Sequence, residues 1–295
     1  MADVDIDIKD SPFVASPVVP EQFDEDHVIT FRCYKGIECF NACCRNIDIT
    51  LTPYDIIRLK QRLGLTSSEF LVKYTYPFEF GKNSIVGVKM APVQDSTECQ
   101  FMTDEGCSVY EDRPTACRYY PVGLLSTRRA DENFDRASYA LVKEDHCKGH
   151  FEDREITIRD YRKEQGLEEY DELGRGWRQL ILKMKSAGPS IGNLSKNSLQ
   201  FFFMACYDLD RFREFIKSEG FNATFDIDEE TRQELYKDDI ALLKFGERMI
   251  LQIMFGEETI KKRADAYDAL VARRQQQREL REEMESDQDR DAAGN

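Results

Sequence analysis

The sequence predicts an α+β fold: a small, irregular cysteine-rich unit of short helices and strands, followed by a mainly α-helical second half. Three observations lead there. Eight of the nine cysteines fall between Cys33 and Cys147, and the second half holds only Cys206. Around those eight, short capped helical segments and alternating stretches follow one another between turn residues. From Ile156 onward apolar residues recur at helical spacing with their own caps and stops. The chain accordingly divides into a flexible leader (1–25), the cysteine unit (26–155), a helical unit (156–260) and a charged tail, helical or disordered (261–295).

The leader mixes Asp, Pro, Ser and Val without period, which does not support a packed element. The first helix is expected in LTPYDIIRLKQRLG: Thr52 as N-cap, Pro53 at the first helical position, Asp55 answering back to the cap, Ile56, Leu59 and Leu63 as the buried stripe, and Gly64 as the stop. Thr66 and Glu69 repeat the capping box for a second helix through Phe70 and Leu71. Ser84 to Met90 reads as a strand, and Asp104, Glu105 and Gly106 as a turn that brings Cys99 and Cys107 together. Arg113 and Pro114 open one helical turn carrying Cys117, after which Val122–Ser126 and Ala137–Val142 read as paired strands around ADEN. Thr157 with Asp160 caps a helix that Gly166 stops. Further helices are expected over 168–186, 195–218 and 228–255, with Gly220 and Gly256 marking two ends. The segment after Glu257, rich in Arg, Gln and Glu, is an exposed helix or a fraying tail.

A chain of 295 residues buries enough core to need no metal for size alone. No apolar run approaches a membrane span, and the acidic start MADVDIDIKDSPF lacks the features of a secretory signal, so a cytoplasmic location is expected. A formal charge of −15 repels phosphate backbones and anionic lipid; neither nucleic acid nor membrane is an expected partner. There is no dinucleotide-binding glycine fingerprint, no P-loop and no nucleophile motif beside any of the three histidines His27, His146 and His150.

Thiolate is a soft ligand that selects zinc, copper(I) and iron–sulfur clusters, and eight cysteines suffice for two four-cysteine sites. Cys39 and Cys43 are four apart, so a helical turn would put both sulfurs on one face. Adjacent Cys43 and Cys44 diverge on any regular backbone: either the loop bends there or the two serve different centres. Arg45 follows the pair, and Arg113 and Arg118 flank Cys117; these three cations would lower thiol pKa and offset the charge of a thiolate-ligated group. Tyr119 and Tyr120 would cover one side. His146 and His150 flank Cys147, either bonded to the centre or simply facing solvent. Cys206, within FFFMACYDLDRF, reads as an ordinary core residue.

The segments FRCYKGIECFNACCRNIDITLTPYDIIRLKQRLGL, CQFMTDEGCSVYEDRPTACRYYP and HCKGH resemble the YkgJ-like cysteine cluster family of bacterial proteins. FFMACYDLDRFR and DDIALLKFGERM resemble a longer subgroup of it. The resemblance implies a zinc- or iron-chelating role for Cys33, Cys39, Cys43, Cys44, Cys99, Cys107, Cys117 and Cys147. The opening departs from the family, with five residues between Cys33 and Cys39 and three before the pair, where two and two are usual. Many such proteins carry the name iron–sulfur oxidoreductase, and a distant similarity to flagellin lysine methylases implies protein methylation as a third reading. The expectation is therefore an iron–sulfur cluster, of the 4Fe-4S type, in a redox or enzyme-supporting role. The alternative is a zinc-stabilised module that engages another protein.

Overall fold

The computed structural model describes residues 17–19, 21–80, 85–127, 136–186 and 195–266, with Val271 and Gln275 singly. Among the described residues, the first half is built from nine short strands, three short α-helices and three 3₁₀ turns, and the second mainly from helices, as the α+β reading requires.

The local punctuation works as written. Helix α1 (Pro53–Leu63) begins with Thr52 accepting from the Asp55 amide while the Asp55 carboxylate accepts from the Thr52 amide, and Gly64 ends it in the left-handed region at φ 66°. Helix α2 (Ser67–Tyr74) has the same box on Thr66 and Glu69, and runs on past Leu71 into strand β3 (Thr75–Phe80). Strand β4 (Ile85–Met90) pairs antiparallel with β3 on one side and with β2 (Thr50–Leu51) on the other. Because β3 is an edge, it tolerates Pro77, which has no amide to donate.

Six further strands complete the half. Hairpin β5–β6 (Met102–Thr103 and Gly106–Cys107) turns through Asp104 and Glu105, and β7 (Val122–Thr127) pairs with β8 (Arg136–Leu141); the ADEN stretch lies outside the described residues, as does Ser84. Between these pairs, helix α3 (Thr115–Tyr119) carries Cys117. The end of the leader runs beside β8, where Val19 donates to the Leu141 carbonyl at 2.8 Å and Phe23 exchanges bonds with Tyr139. Strand β1 (Val28–Thr30) pairs with β9 (Glu155–Thr157) across more than a hundred residues. Neither strand was legible, since three residues carry too little alternation.

In the second half, α4 (Ile158–Glu164) starts at Thr157 and α5 (Leu167–Ser186) follows Gly166. The helix expected over 195–218 is instead two, α6 (Lys196–Tyr207) and α7 (Leu209–Lys217), broken at Asp208. Its carboxylate leaves the helical path to accept from the Ser67 and Ser68 hydroxyls at 2.8 Å. Likewise 228–255 is two helices, α9 (Glu229–Lys237) and α10 (Asp239–Phe255). Asp238 ends the first and caps the second by accepting from the Ile240 and Ala241 amides. Apolar periodicity runs through both breaks, whereas Asp competes for backbone donors and stops a helix. Gly220 is not a stop: it lies inside α8 (Glu219–Thr224), which Ser218 caps.

The buried side chains form one contiguous cluster, from Ile29 and Leu51 to Phe245 and Ile260. Polar ties cross it too. Lys60 of α1, 5% exposed, bridges Asp210 at 2.9 Å and Asp239 at 3.0 Å, and Tyr54 donates to Glu169 at 2.7 Å. No described helix is long and apolar enough to cross a membrane.

Candidate metal centre

Four chain segments carry the eight N-terminal thiols, and backbone hydrogen bonds lay those segments against one another. After β1, the Phe31 amide donates to the Arg154 carbonyl at 2.9 Å and the Arg32 amide to the Gly149 carbonyl at 3.1 Å, so Cys33 follows a strand end held beside the HCKGH loop. Gly149 permits this approach: a Cβ there would meet Phe31 at 2.6 Å and the Arg32 carbonyl at 2.8 Å. In the same loop the Lys148 amide donates to the Cys39 sulfur at 3.2 Å.

Next, Asn41 takes the left-handed conformation at φ 65° and opens a single 3₁₀ turn, Ala42–Cys44. The sulfurs of Cys43 and Cys44 stand 4.0 Å apart, far beyond a disulfide bond. The Cys44 carbonyl accepts from the Cys99 amide at 2.8 Å, and the Asn41 side-chain amide donates to the Thr103 carbonyl at 2.8 Å, tying this turn to the β5–β6 hairpin. Gly106, at φ 118°, makes that hairpin possible, for a Cβ would meet the Phe40 ring at 3.3 Å.

Cys117 is brought in by Asp55. Besides its part in capping α1, this fully buried carboxylate accepts from the Thr115 amide at 2.8 Å and the Thr115 hydroxyl at 2.7 Å, fastening the start of α3 to the start of α1. Burial pushes the Asp55 carboxyl above its ordinary range, with the Thr115 and Thr52 bonds opposing. Sequence reasoning gave Asp55 the cap alone.

Residues 32–172 match the model of the CxxCxxCC family, the YkgJ-like family, whose description reads "Putative zinc- or iron-chelating domain". The CxxCxxCC domain model thus covers residues 32–172. The matched stretch includes all eight clustered cysteines and leaves out Cys206. No curated protein and no solved structure matches the chain.

Within the CxxCxxCC domain the thiols act on one another electrostatically. Cys33 is pushed up to about 11 by burial and then by Cys43, Cys39 and Cys147. Burial also raises Cys99, Cys107, Cys117 and Cys147, with neighbouring thiols adding to it. Cys43 and Cys44 share a hydrogen bond that lowers the first to about 7 and raises the second strongly. Eight thiolates packed this way repel one another, and a bound cation relieves both the repulsion and the burial cost. Among the described residues, no three Cys, His, Asp or Glu side chains already stand closely enough to hold a metal ion. The fit lies in the donor chemistry, which is thiolate throughout and therefore suited to zinc or iron–sulfur.

The three arginines occupy different situations. Arg113, 8% exposed, lowers the Cys33 and Cys107 thiols and is held by the Tyr110 carbonyl at 2.8 Å, Gln165 at 2.6 Å and the Tyr110 ring. Arg118 directs its guanidinium to the carbonyls of Glu111, Arg113 and Gln165 and stacks on Tyr170. Arg45 is exposed just past the cysteine pair, and its carbonyl accepts from the Thr97 hydroxyl. Tyr119 donates to Asp171, while Tyr120 lies beside Cys147 and Glu144, and burial followed by these two neighbours pushes its phenol up. His150 faces the Val142 carbonyl at 3.1 Å, and His146 faces Glu144 at 3.6 Å.

Proposed function

We propose that the CxxCxxCC domain holds an iron–sulfur centre on its eight cysteines, and that the protein serves a redox or enzyme-supporting role with a protein partner. The observation that carries this reading is that hydrogen bonds lay together the segments bearing the eight thiols, spread over residues 33–147, with the buried Arg113 beside Cys33 and Cys107. Supporting it are amide donors on sulfur: Lys148 to Cys39 at 3.2 Å and Phe101 to Cys99 at 3.5 Å. Such bonds, together with net charge and solvent exposure, tune the reduction potential of an iron–sulfur group. When bound, the cluster would supply one-electron chemistry. The chain's part is to orient the thiolates, shield them on the Tyr120 side, and offset their charge through Arg113. The test is anaerobic purification followed by iron, zinc and acid-labile sulfide analysis with a visible spectrum. Brown protein containing iron and sulfide is expected. Colourless protein with stoichiometric zinc, even after cluster reconstitution, overturns the reading in favour of a zinc-stabilised interaction module.

A further inference from the structure

Resting on the metal-binding reading, we infer that helix α1 couples the metal centre to the helical half. Lys60, enclosed between the Asp210 and Asp239 carboxylates, is a positioning residue for the centre, and metal binding in turn tightens α7 and α10 on α1.

One helix carries both grips. Toward the cysteine unit, Asp55 accepts from the Thr115 amide and hydroxyl at 2.8 and 2.7 Å, just before Cys117. Arg58 donates to Asp112 through Nε at 3.0 Å and Nη2 at 2.6 Å, and Arg62 reaches the same carboxylate at 3.8 Å. These three residues recur at helical spacing, so one face of α1 holds the segment that leads from Cys107 to Cys117. Toward the helical half, Tyr54 donates to Glu169 of α5 at 2.7 Å, Lys60 bridges Asp210 at 2.9 Å and Asp239 at 3.0 Å, and the Gln61 amide donates to Asp239 at 3.3 Å.

The clasp around Lys60 is closed on every side. Asp210 lies in the first turn of α7, and Asp239 begins α10. Arg213 joins both carboxylates, and Asp210 also accepts from the Ser67 amide at 2.7 Å and the Ser67 hydroxyl at 3.0 Å, at the start of α2. Against burial, the Ser67 amide and Lys60 hold the Asp210 carboxyl down to about 2, so it is charged at neutral pH. The two cations Lys60 and Arg213 balance the two carboxylates. Charges enclosed in this way add little net stability, but removing one leaves its partner uncompensated. The clasp thereby fixes one arrangement of α1, α7 and α10 against the others that apolar packing alone would allow.

Helix α1 is suited to transmit between the two grips. Its first turn is locked by the Thr52–Asp55 box, Gly64 closes its end, and Ile56, Ile57 and Leu59 are buried along its length, so it moves as a body. A shift at Lys60 therefore displaces Asp55 and Arg58, and with them the turn that carries Cys117. Linkage makes the effect reciprocal: whatever factor the docked α7 and α10 add to metal affinity, bound metal adds to their docking.

Two measurements on the full-length protein test the coupling. The first is amide hydrogen exchange of the protein isolated with its metal and again after a chelator has removed it under reducing conditions. Amides at the starts of α7 and α10 should exchange at least about fivefold faster without metal, and those of α9, which packs on α10, should change less. No change at α7 and α10, or an equal change in α9, overturns the coupling while leaving metal binding intact. The second is Zn²⁺ affinity, measured by competition with a chromophoric chelator. Lys60→Met should weaken it about five- to fiftyfold, and Lys60→Gln, which keeps two N–H donors for the carboxylates, should recover part of the loss. Parent affinity in Lys60→Met, with the circular dichroism of the parent protein, removes Lys60 from positioning the centre; if that variant does not fold, the exchange comparison, made on the parent alone, decides. Zinc in place of iron and sulfide overturns only the iron–sulfur reading and leaves the coupling standing. No metal in the isolated protein and no Zn²⁺ uptake overturns both together.

Discussion

Cysteine has two different fates in the two halves of this molecule. In the first, thiols lie on turns, hairpins and a single helical turn, where amides point at the Cys39 and Cys99 sulfurs and neighbouring thiols bear on Cys33. In the second, Cys206 is the last residue but one of α6, 1% exposed, with Glu247 of α10 as the charged group that bears on it. Short irregular backbone leaves side chains free to converge on a common point, whereas a regular helix distributes them around its axis. The first half has exchanged regular structure for convergence. The second half owes its form to apolar burial, and that difference can be broken at several points.

The largest effect should come from the ligands themselves. Cys43→Ser or Cys117→Ser should release bound metal and make the cysteine half sensitive to protease, because metal affinity and folding are linked when the ligands come from distant segments. Elemental analysis with limited proteolysis measures both. Unchanged metal and unchanged digestion in the two variants would remove these residues from the centre.

Next in size is Asp55. Asp55→Ala leaves the Thr52 amide, the Thr115 amide and the Thr115 hydroxyl without their acceptor in a buried place, a loss of about 2–4 kcal/mol. It should also lower metal content, since α3 loses its anchor. Asp55→Asn retains a carbonyl for Thr115 and should recover part of both. Denaturant unfolding and metal analysis of the two variants provide the comparison; equal effects from Ala and Asn would mean that the carboxyl does not position Cys117.

What could be read from the sequence followed how local each interaction is. The capping boxes at Thr52 and Thr66 span three residues and were legible; the breaks at Asp208 and Asp238 were not, because apolar periodicity continues across them and the Ser67 and Ser68 partners of Asp208 lie far away in the chain. The cysteines announced the site by type and clustering. Asp55 did not, since its role as a cap fully accounts for it until Thr115, sixty residues on, is seen to use the same carboxylate. Arg118 shows the converse: adjacent to Cys117 in sequence, it spends its guanidinium on backbone carbonyls.

A smaller and pH-dependent effect belongs to the helical half. Burial pushes the Glu247 carboxyl up to about 7, with Lys244 and the Trp177 amide opposing, and its Oε1 has no hydrogen-bond partner. A carboxyl raised in the folded state makes a contribution that is whole below its unfolded pKa, near 4.5, and is lost as pH rises through about 7. Glu247→Gln, neutral throughout, should match the parent protein near pH 4.5 and exceed it by about 1–3 kcal/mol at pH 8. Chemical denaturation at both values checks this; a difference that does not grow with pH would show that Glu247 ionises without cost.

The smallest effect tests the contrast directly. Cys206 is 1% exposed within the buried apolar cluster that also includes Phe202, Ala205 and Tyr207, so Cys206→Ser places a hydroxyl among apolar groups, at a cost of about 1 kcal/mol. It should leave metal content unchanged, for its thiol lies outside the matched family stretch and none of the eight clustered thiols is among the groups that bear on it. Thermal unfolding and metal analysis on one preparation decide the matter. A variant that unfolds slightly earlier with its full complement of metal keeps the two fates of cysteine distinct. If the variant were helical by circular dichroism yet purified without metal, α6 would have to reach into the centre, and the two halves could no longer be separated by what their thiols do.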